Sequence, residues 1–298
     1  MFSKLIFNLP WSGDIEPDEG MQHTQAIADR LAATAGHAEH EEFPLLIYTS
    51  PFRRCAHTAH VIAKTLQIAA KTKEEQELVA VRIEDGLTEW LTPSLVVNQE
   101  TGERTFPKTP QQLVEEYGFD TIDLSYRSVN PSFDTLVEEK KDQDSDEDSD
   151  VVPGLDDSTP GYISPAFPES ENRLLLRAKT TLDNIVDALV EETVESGIFS
   201  KPPSLVIVSH APCLQALAYN LLGGGDSAAE QMKPWPLGGI TVFSRLVGVD
   251  DIDGEDDDKP IAGEEEFEWK LESYGDANHM PQVYKDGLKA WSLPGFTK

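Results

Sequence analysis

Cysteine is nearly absent: Cys55 and Cys213 are the two in 298 residues, and they stand far apart in the chain. So few thiols exclude a disulfide framework and point to a reducing compartment. Long apolar runs are missing as well, since nothing approaches the roughly 18 consecutive apolar residues that a membrane-spanning helix needs. The start, Met1–Phe7, is too short for a signal sequence and reads as a first strand. Positive charge is scarce, with 24 Lys and Arg against 54 Asp and Glu and a formal net charge of -30. That deficit argues against a nucleic-acid-binding surface, because phosphate neutralisation requires clustered Lys and Arg. These shortages together predict a soluble protein, cytoplasmic or nuclear, with no direct contact to nucleic acid and none to a membrane.

Part of the acidity is local. Asp142–Asp150 holds six acids and Asp250–Asp258 holds seven. Residues 138–160 are also Ser-rich and poor in large apolar groups, which predicts a disordered acidic insertion, and residues 249–266 read as a second acidic loop. Ser145, before Asp146-Glu147-Asp148, suits an acidophilic kinase or is simply part of a solvated loop. Such loops can attract a basic protein partner. The rest of the chain, at 39% hydrophobic overall, suffices for one core, so residues 1–298 are expected to form a single domain with insertions.

Periodicity then orders the elements. Lys4–Phe7 is a strand, and Gly20 to about Ala35 carries apolar positions at helical spacing. Leu45–Tyr48 is a buried strand, and Ser50-Pro51 reads as the cap and first turn of the next helix. Val79–Ile83 is a third strand closed by Asp85-Gly86. Thr109-Pro110-Gln111-Gln112 opens a short capped helix. A long helix runs from Pro168-Glu169-Ser170-Glu171 to about Thr193, and Ser204–Ser209 is β-rich and buried. A helix then follows to Gly223, a strand spans Gly239–Val247, and Glu266–Tyr274 is expected to pair with it as an antiparallel edge. The early βαβα order predicts a three-layer α/β/α fold with a mostly parallel central sheet.

Three polar residues fall just beyond strand ends: Arg54 after the second strand, Glu89 after the third and His210 after the Val206-Ile207-Val208 strand. In open parallel sheets, ligands bind outside the carboxyl ends of the strands. There Arg54 can hold a phosphoryl group, Glu89 can act as general acid and His210 can stabilise charge on a transferring group. Taken singly, each also reads as an ordinary surface or hydrogen-bonded side chain.

The ordered set Ser50-Pro51-x-x-Arg54-x-x-x-Thr58-Ala59, Gly86-Leu87-x-Glu89-Trp90 and Val206-Ile207-Val208-Ser209-His210 resembles the histidine phosphatase (phosphoglycerate mutase-like) superfamily, in its eukaryotic branch. By that resemblance Ser50, Arg54 and His210 belong to a phosphate pocket and Glu89 is the proton donor; no metal or cofactor is implied. The superfamily's nucleophile is the histidine of an Arg-His-Gly motif after the first strand. Here Asn8-Leu9-Pro10 stands in that place. His23 and His57 lie on helices and do not replace it. Leucine cannot form a phosphoenzyme. The resemblance therefore implies a pseudophosphatase, inactive or weak, that binds a phosphorylated small molecule or phosphoprotein. Two alternatives stay open: an active phosphatase or mutase if the native N-terminus differs, and a subunit of a transcription or signalling complex.

Overall fold

The structure, a computed structural model, describes residues 4–8, 17–37, 45–70, 72–92, 107–130, 168–196, 204–245, 269–280 and 290–296. Its strands are β1 (Lys4–Asn8), β2 (Leu45–Thr49), β3 (Val81–Ile83), β4 (Ser204–Val208), β5 (Trp235–Pro236), β6 (Ile240–Arg245), β7 (Trp269–Asp276) and β8 (Ala290–Trp291). Its helices are α1 (Pro17–His37), α2 (Arg53–Ala69), α3 (Lys73–Leu78), α4 (Pro110–Tyr117), α5 (Glu171–Ser196), α6 (Ala211–Leu221) and α7 (Gly225–Gln231). A six-stranded sheet runs in the order β3-β2-β4-β1-β6-β7. The first four strands are parallel to one another, while β6 is antiparallel to β1 and β7 to β6. The mostly parallel sheet expected from the βαβα pattern is present, and so is its antiparallel edge.

Strand alternation divides the core into two layers, because successive side chains leave opposite faces of a sheet. Ile6, Ile47, Val206, Val208 and Ile240 pack with Ile27 and Leu31 of α1 and Ile62 and Leu66 of α2. Phe7, Leu46, Tyr48, Leu205, Ile207 and Phe243 pack instead with Leu174, Leu182 and Ile185 of α5 and Leu214 and Leu217 of α6. Burying each such side chain contributes about 1.5–3 kcal/mol. The helix following β2 thus covers one face and the helix following its neighbour β4 covers the other. The two helix starts lie at the carboxyl ends of neighbouring strands, the place where open α/β sheets form their ligand crevice.

Local chemistry explains most boundaries and corrects several. The Thr109 capping box forms as expected, with Thr109 and Gln112 bonding reciprocally and Gly118 closing α4 at φ 70°. Ser50 and Pro51, in contrast, are not the cap and first turn of α2. The helix begins at Arg53 with Phe52 as N-cap and no capping side chain. Ser50 is held at the sheet by its N–H, which donates to the Val208 carbonyl at 3.1 Å. The third strand is shorter than predicted, since α3 runs up to Leu78 and Val79 N–H closes its last turn on Gln76 at 3.2 Å. The polar helices α3 and α7 and the β5–β8 pair gave no periodic signal. The two acidic stretches, 138–160 and 249–266, lie outside the described residues, as do Leu9 and Pro10. No helix among the described residues is long and apolar enough to cross a membrane.

At Gly86 the Thr181 side chain of α5 packs directly onto the turn after β3. A Cβ there would collide with the Thr181 side chain and come within 2.9 Å of Asn130 Nδ2. Gly86→Ala should therefore destabilise the fold by about 1–3 kcal/mol in urea denaturation, through overpacking. Adding Thr181→Ala should recover part of that loss.

Candidate functional site

Ser50 and Arg54 reach the crevice from the β2–α2 junction, His210 from the β4–α6 junction and Glu89 from the loop after the 3₁₀ turn Asp85–Leu87. The structure brings all four together. Arg54 Nη2 lies 2.6 Å from Glu89 Oε2, and His210 Nδ1 lies 3.0 Å from the same oxygen. Ser50 Oγ is 2.9 Å from His210 Nε2 and accepts from the Phe52 N–H at 3.3 Å. Behind the imidazole, Cys55 Sγ is 3.4 Å from Nε2, and the Phe52 ring meets it edge-on at 5.1 Å.

The hydrogen-bond pattern assigns the imidazole tautomer. Glu89, as a carboxylate, can only accept, so Nδ1 carries the ring proton and donates it to Glu89. Nε2 is then an acceptor and takes the Ser50 hydroxyl proton, while Ser50 Oγ accepts from the Phe52 N–H. Arg54 Nη2, 2.7 Å from Nδ1, is a neighbouring donor, and both groups converge on Glu89 Oε2. Neither α2 nor α6 has a capping side chain or an acid in its first turn. The amide ends of both helices therefore add positive potential to the same crevice.

These contacts set the charge states. Burial opposes ionisation of Glu89, but His210, Arg54 and the Trp90 N–H outweigh it and pull the carboxyl down to about 2. Burial, helped by the Arg54 charge and opposed by Glu89, pushes His210 down to about 4. Desolvation drives the Cys55 thiol up to about 12, so it is unreactive. At neutral pH the cluster is a carboxylate, a guanidinium and a neutral imidazole. Glu89 then has no proton to give while Arg54 and His210 hold it. Ser50, His210 and Glu89 have the connectivity of a nucleophile, base and orienting acid. Ser50 is fully buried, with its hydroxyl engaged by His210 and by the Phe52 N–H.

The loop bearing Glu89 is fixed from behind by residues that sequence reasoning missed. Arg177 of α5 pairs with Glu169 through Nε at 2.7 Å and Nη2 at 2.8 Å, and both side chains are wholly buried. Its remaining donors take the carbonyls of Gly86 (2.7 Å), Thr88 (3.1 Å) and Glu89 (3.3 Å). Glu84 is a second anchor, accepting from the Gly86 and Val129 N–H groups, the Ser128 and Tyr126 hydroxyls and the Asn130 amide at 2.6–3.1 Å. A signal for Arg177 was available: it interrupts the apolar stripe Leu174, Ala178, Ile185 of its helix. Asn8, placed by the resemblance where an arginine belongs, is buried and commits its amide to the Gly239 carbonyl at 3.4 Å. His57 packs against Phe119 at 5.6 Å, and His23 is buried on α1. Among the described residues no group of three or more His, Cys, Asp or Glu is placed to hold a metal ion.

Two outcomes follow from this arrangement. Arg177→Ala strands the Glu169 carboxylate in the core and should cost about 3–5 kcal/mol in urea denaturation, with Glu169→Ala in the same chain recovering part of it. The second concerns acid. His210 titrates at about 4 in the folded chain but near 6.5 when unfolded, so between those values the unfolded state binds the extra proton. Stability should therefore fall as pH drops from about 6.5 towards 4, by up to about 3 kcal/mol from this residue. Glu89 adds a further loss below about 4.3, towards 2. In thermal melts His210→Gln should flatten the upper window relative to the wild type.

No protein-family model matches the chain, and no curated protein matches it in sequence. Solved structures similar to it include a mycobacterial hydrolase, at 16% identity over 92% of this chain and 90% of that one, with a TM-score of 0.46. A mycobacterial glucosyl-3-phosphoglycerate phosphatase is similar at 16% identity over 92% and 98%, with a TM-score of 0.44. The ecdysone phosphate phosphatase of Bombix mori, in complex with tungstate, is similar at 14% identity over 81% and 88%, with a TM-score of 0.42. These three solved structures are members of the histidine phosphatase superfamily.

Proposed function

We propose that this chain is a histidine phosphatase-like protein that binds a phosphate monoester at Arg54 and His210 and turns it over weakly or not at all. The observation that carries this reading is the convergence of Arg54 Nη2 and His210 Nδ1 on one acceptor oxygen, at 2.6 and 3.0 Å. A phosphoryl oxygen is recognised by the same pair of donors, and the uncapped starts of α2 and α6 favour the charge of the remaining oxygens. The inactive half of the reading rests on the sequence. Leu9 stands where the resemblance requires a nucleophilic histidine, and without a nucleophile the reaction cannot be split through a covalent intermediate. The resulting role is recognition or assembly around a phosphorylated small molecule or protein side chain.

The purified full chain should show negligible hydrolysis of p-nitrophenyl phosphate, and Arg54→Ala should weaken phosphate binding at least about tenfold. Robust turnover that disappears in His210→Ala would overturn the inactive half of the reading. Phosphate binding undiminished by Arg54→Ala would overturn the binding half.

A further inference from the structure

Glu89 Oε2 occupies the point at which Arg54 and His210 direct their donors. Its partner oxygen, Oε1, accepts from the Trp90 N–H at 2.9 Å, so the carboxylate is held at both ends. The Glu89 side chain is 7% exposed and that of Arg54 28%, so the cluster meets solvent through the guanidinium. The loop cannot retreat, because Arg177 grips the carbonyls of Gly86, Thr88 and Glu89.

The charged and titratable groups facing this carboxyl are few. Arg54 comes from α2, His210 from the β4–α6 junction and Arg177 from α5, where Glu169 matches its charge. The thiols of Cys55 and Cys213, from α2 and α6, are buried, and burial pushes both up. An incoming oxyanion therefore meets two donors already taken by an internal carboxylate. Two anions cannot share them, since like charges at hydrogen-bond distance disfavour each other's ionised form. Once protonated, the same carboxyl becomes an O–H donor to the newcomer.

We propose that Glu89 is a resident anion that an external oxyanion must displace from Arg54 and His210, so that binding is coupled to the uptake of one solvent proton by Glu89. This deepens the phosphate-site reading and rests on it. It also names the ligand class: a tetrahedral dianion, such as a phosphate monoester, gains more from the two donors than Glu89 does, whereas a monocarboxylate merely exchanges one carboxylate for another. Glu89 thereby holds the site closed to weakly charged ligands.

Sulfate is the appropriate probe, being a dianion across the whole working pH range. Titration calorimetry of the full chain at pH 7, in two buffers of different ionisation enthalpy, counts the protons bound with it. The wild type should take up about one proton per sulfate. Glu89→Gln should bind at least about tenfold more tightly and take up none, and Glu89→Ala, which removes the carboxylate without adding a donor, should also bind more tightly. If the wild type binds sulfate as tightly as both variants, or Glu89→Gln takes up the same proton, the resident-anion inference is overturned while the phosphate site stands. If neither the wild type nor either variant binds sulfate saturably, the phosphate-site reading falls and this inference with it.

Discussion

A guanidinium with no access to water must find a partner for each of its N–H groups inside the protein, and Arg177 does so in a way that organises the molecule around it. Glu169 takes one edge of the fork, and the carbonyls of Gly86, Thr88 and Glu89 take the rest. Glu169 also accepts from the Leu91 N–H at 3.2 Å, and its carbonyl accepts from the Trp90 indole at 2.9 Å. One ion pair thus ties the start of α5 to the whole turn from Gly86 to Leu91. Breaking either side would leave a charge without solvation, which makes the turn rigid. Gly86 belongs to the same constraint, because only a residue without a side chain lets Thr181 of α5 approach so closely.

That rigidity decides what the crevice can do. Because the turn is fixed, Glu89 is presented to Arg54 and His210 in one place, and the three groups neutralise one another with little exposure. The chain carries a formal charge of -30, so an anion approaching from a distance is repelled. Its attraction is local, supplied by one arginine, one imidazole N–H and the amide ends of two helices. Such short-range donors act within a few ångströms, where screening by salt is weak for partly buried groups. On the proposed phosphate-binding reading, the site favours a ligand that delivers concentrated charge at contact.

Much of the scaffold was legible before any coordinates. The continuous apolar runs at Leu45–Tyr48 and Leu205–Val208 announce strands buried on both faces, and the 3.6-period runs of α2 and α5 announce helices that bury one, because burial is written into residue order. Arg54, Glu89 and His210 were legible too, since each follows a strand end. Where the reading slipped, local chemistry had competitors. Ser50-Pro51 resembles a cap, yet the Ser50 hydroxyl is claimed by an imidazole 160 residues away and its N–H by the neighbouring strand. The polar α3 and α7 are too short to show a face. Glu84, Glu169 and Arg177 look like ordinary surface charges until packing removes their water.

By itself, then, the amino-acid order determined the layered α/β arrangement, the acidity and the identity of the residue at position 9, all of which depend on composition and short-range pattern. Tertiary structure alone decided that Arg54 and His210 share the Glu89 carboxylate, that Ser50 is buried behind the imidazole and that Arg177 holds the turn. The physical reason is that hydrogen-bond partnership and ionisation depend on distances between residues far apart in the chain. Those distances exist only once the two cores have closed around the sheet.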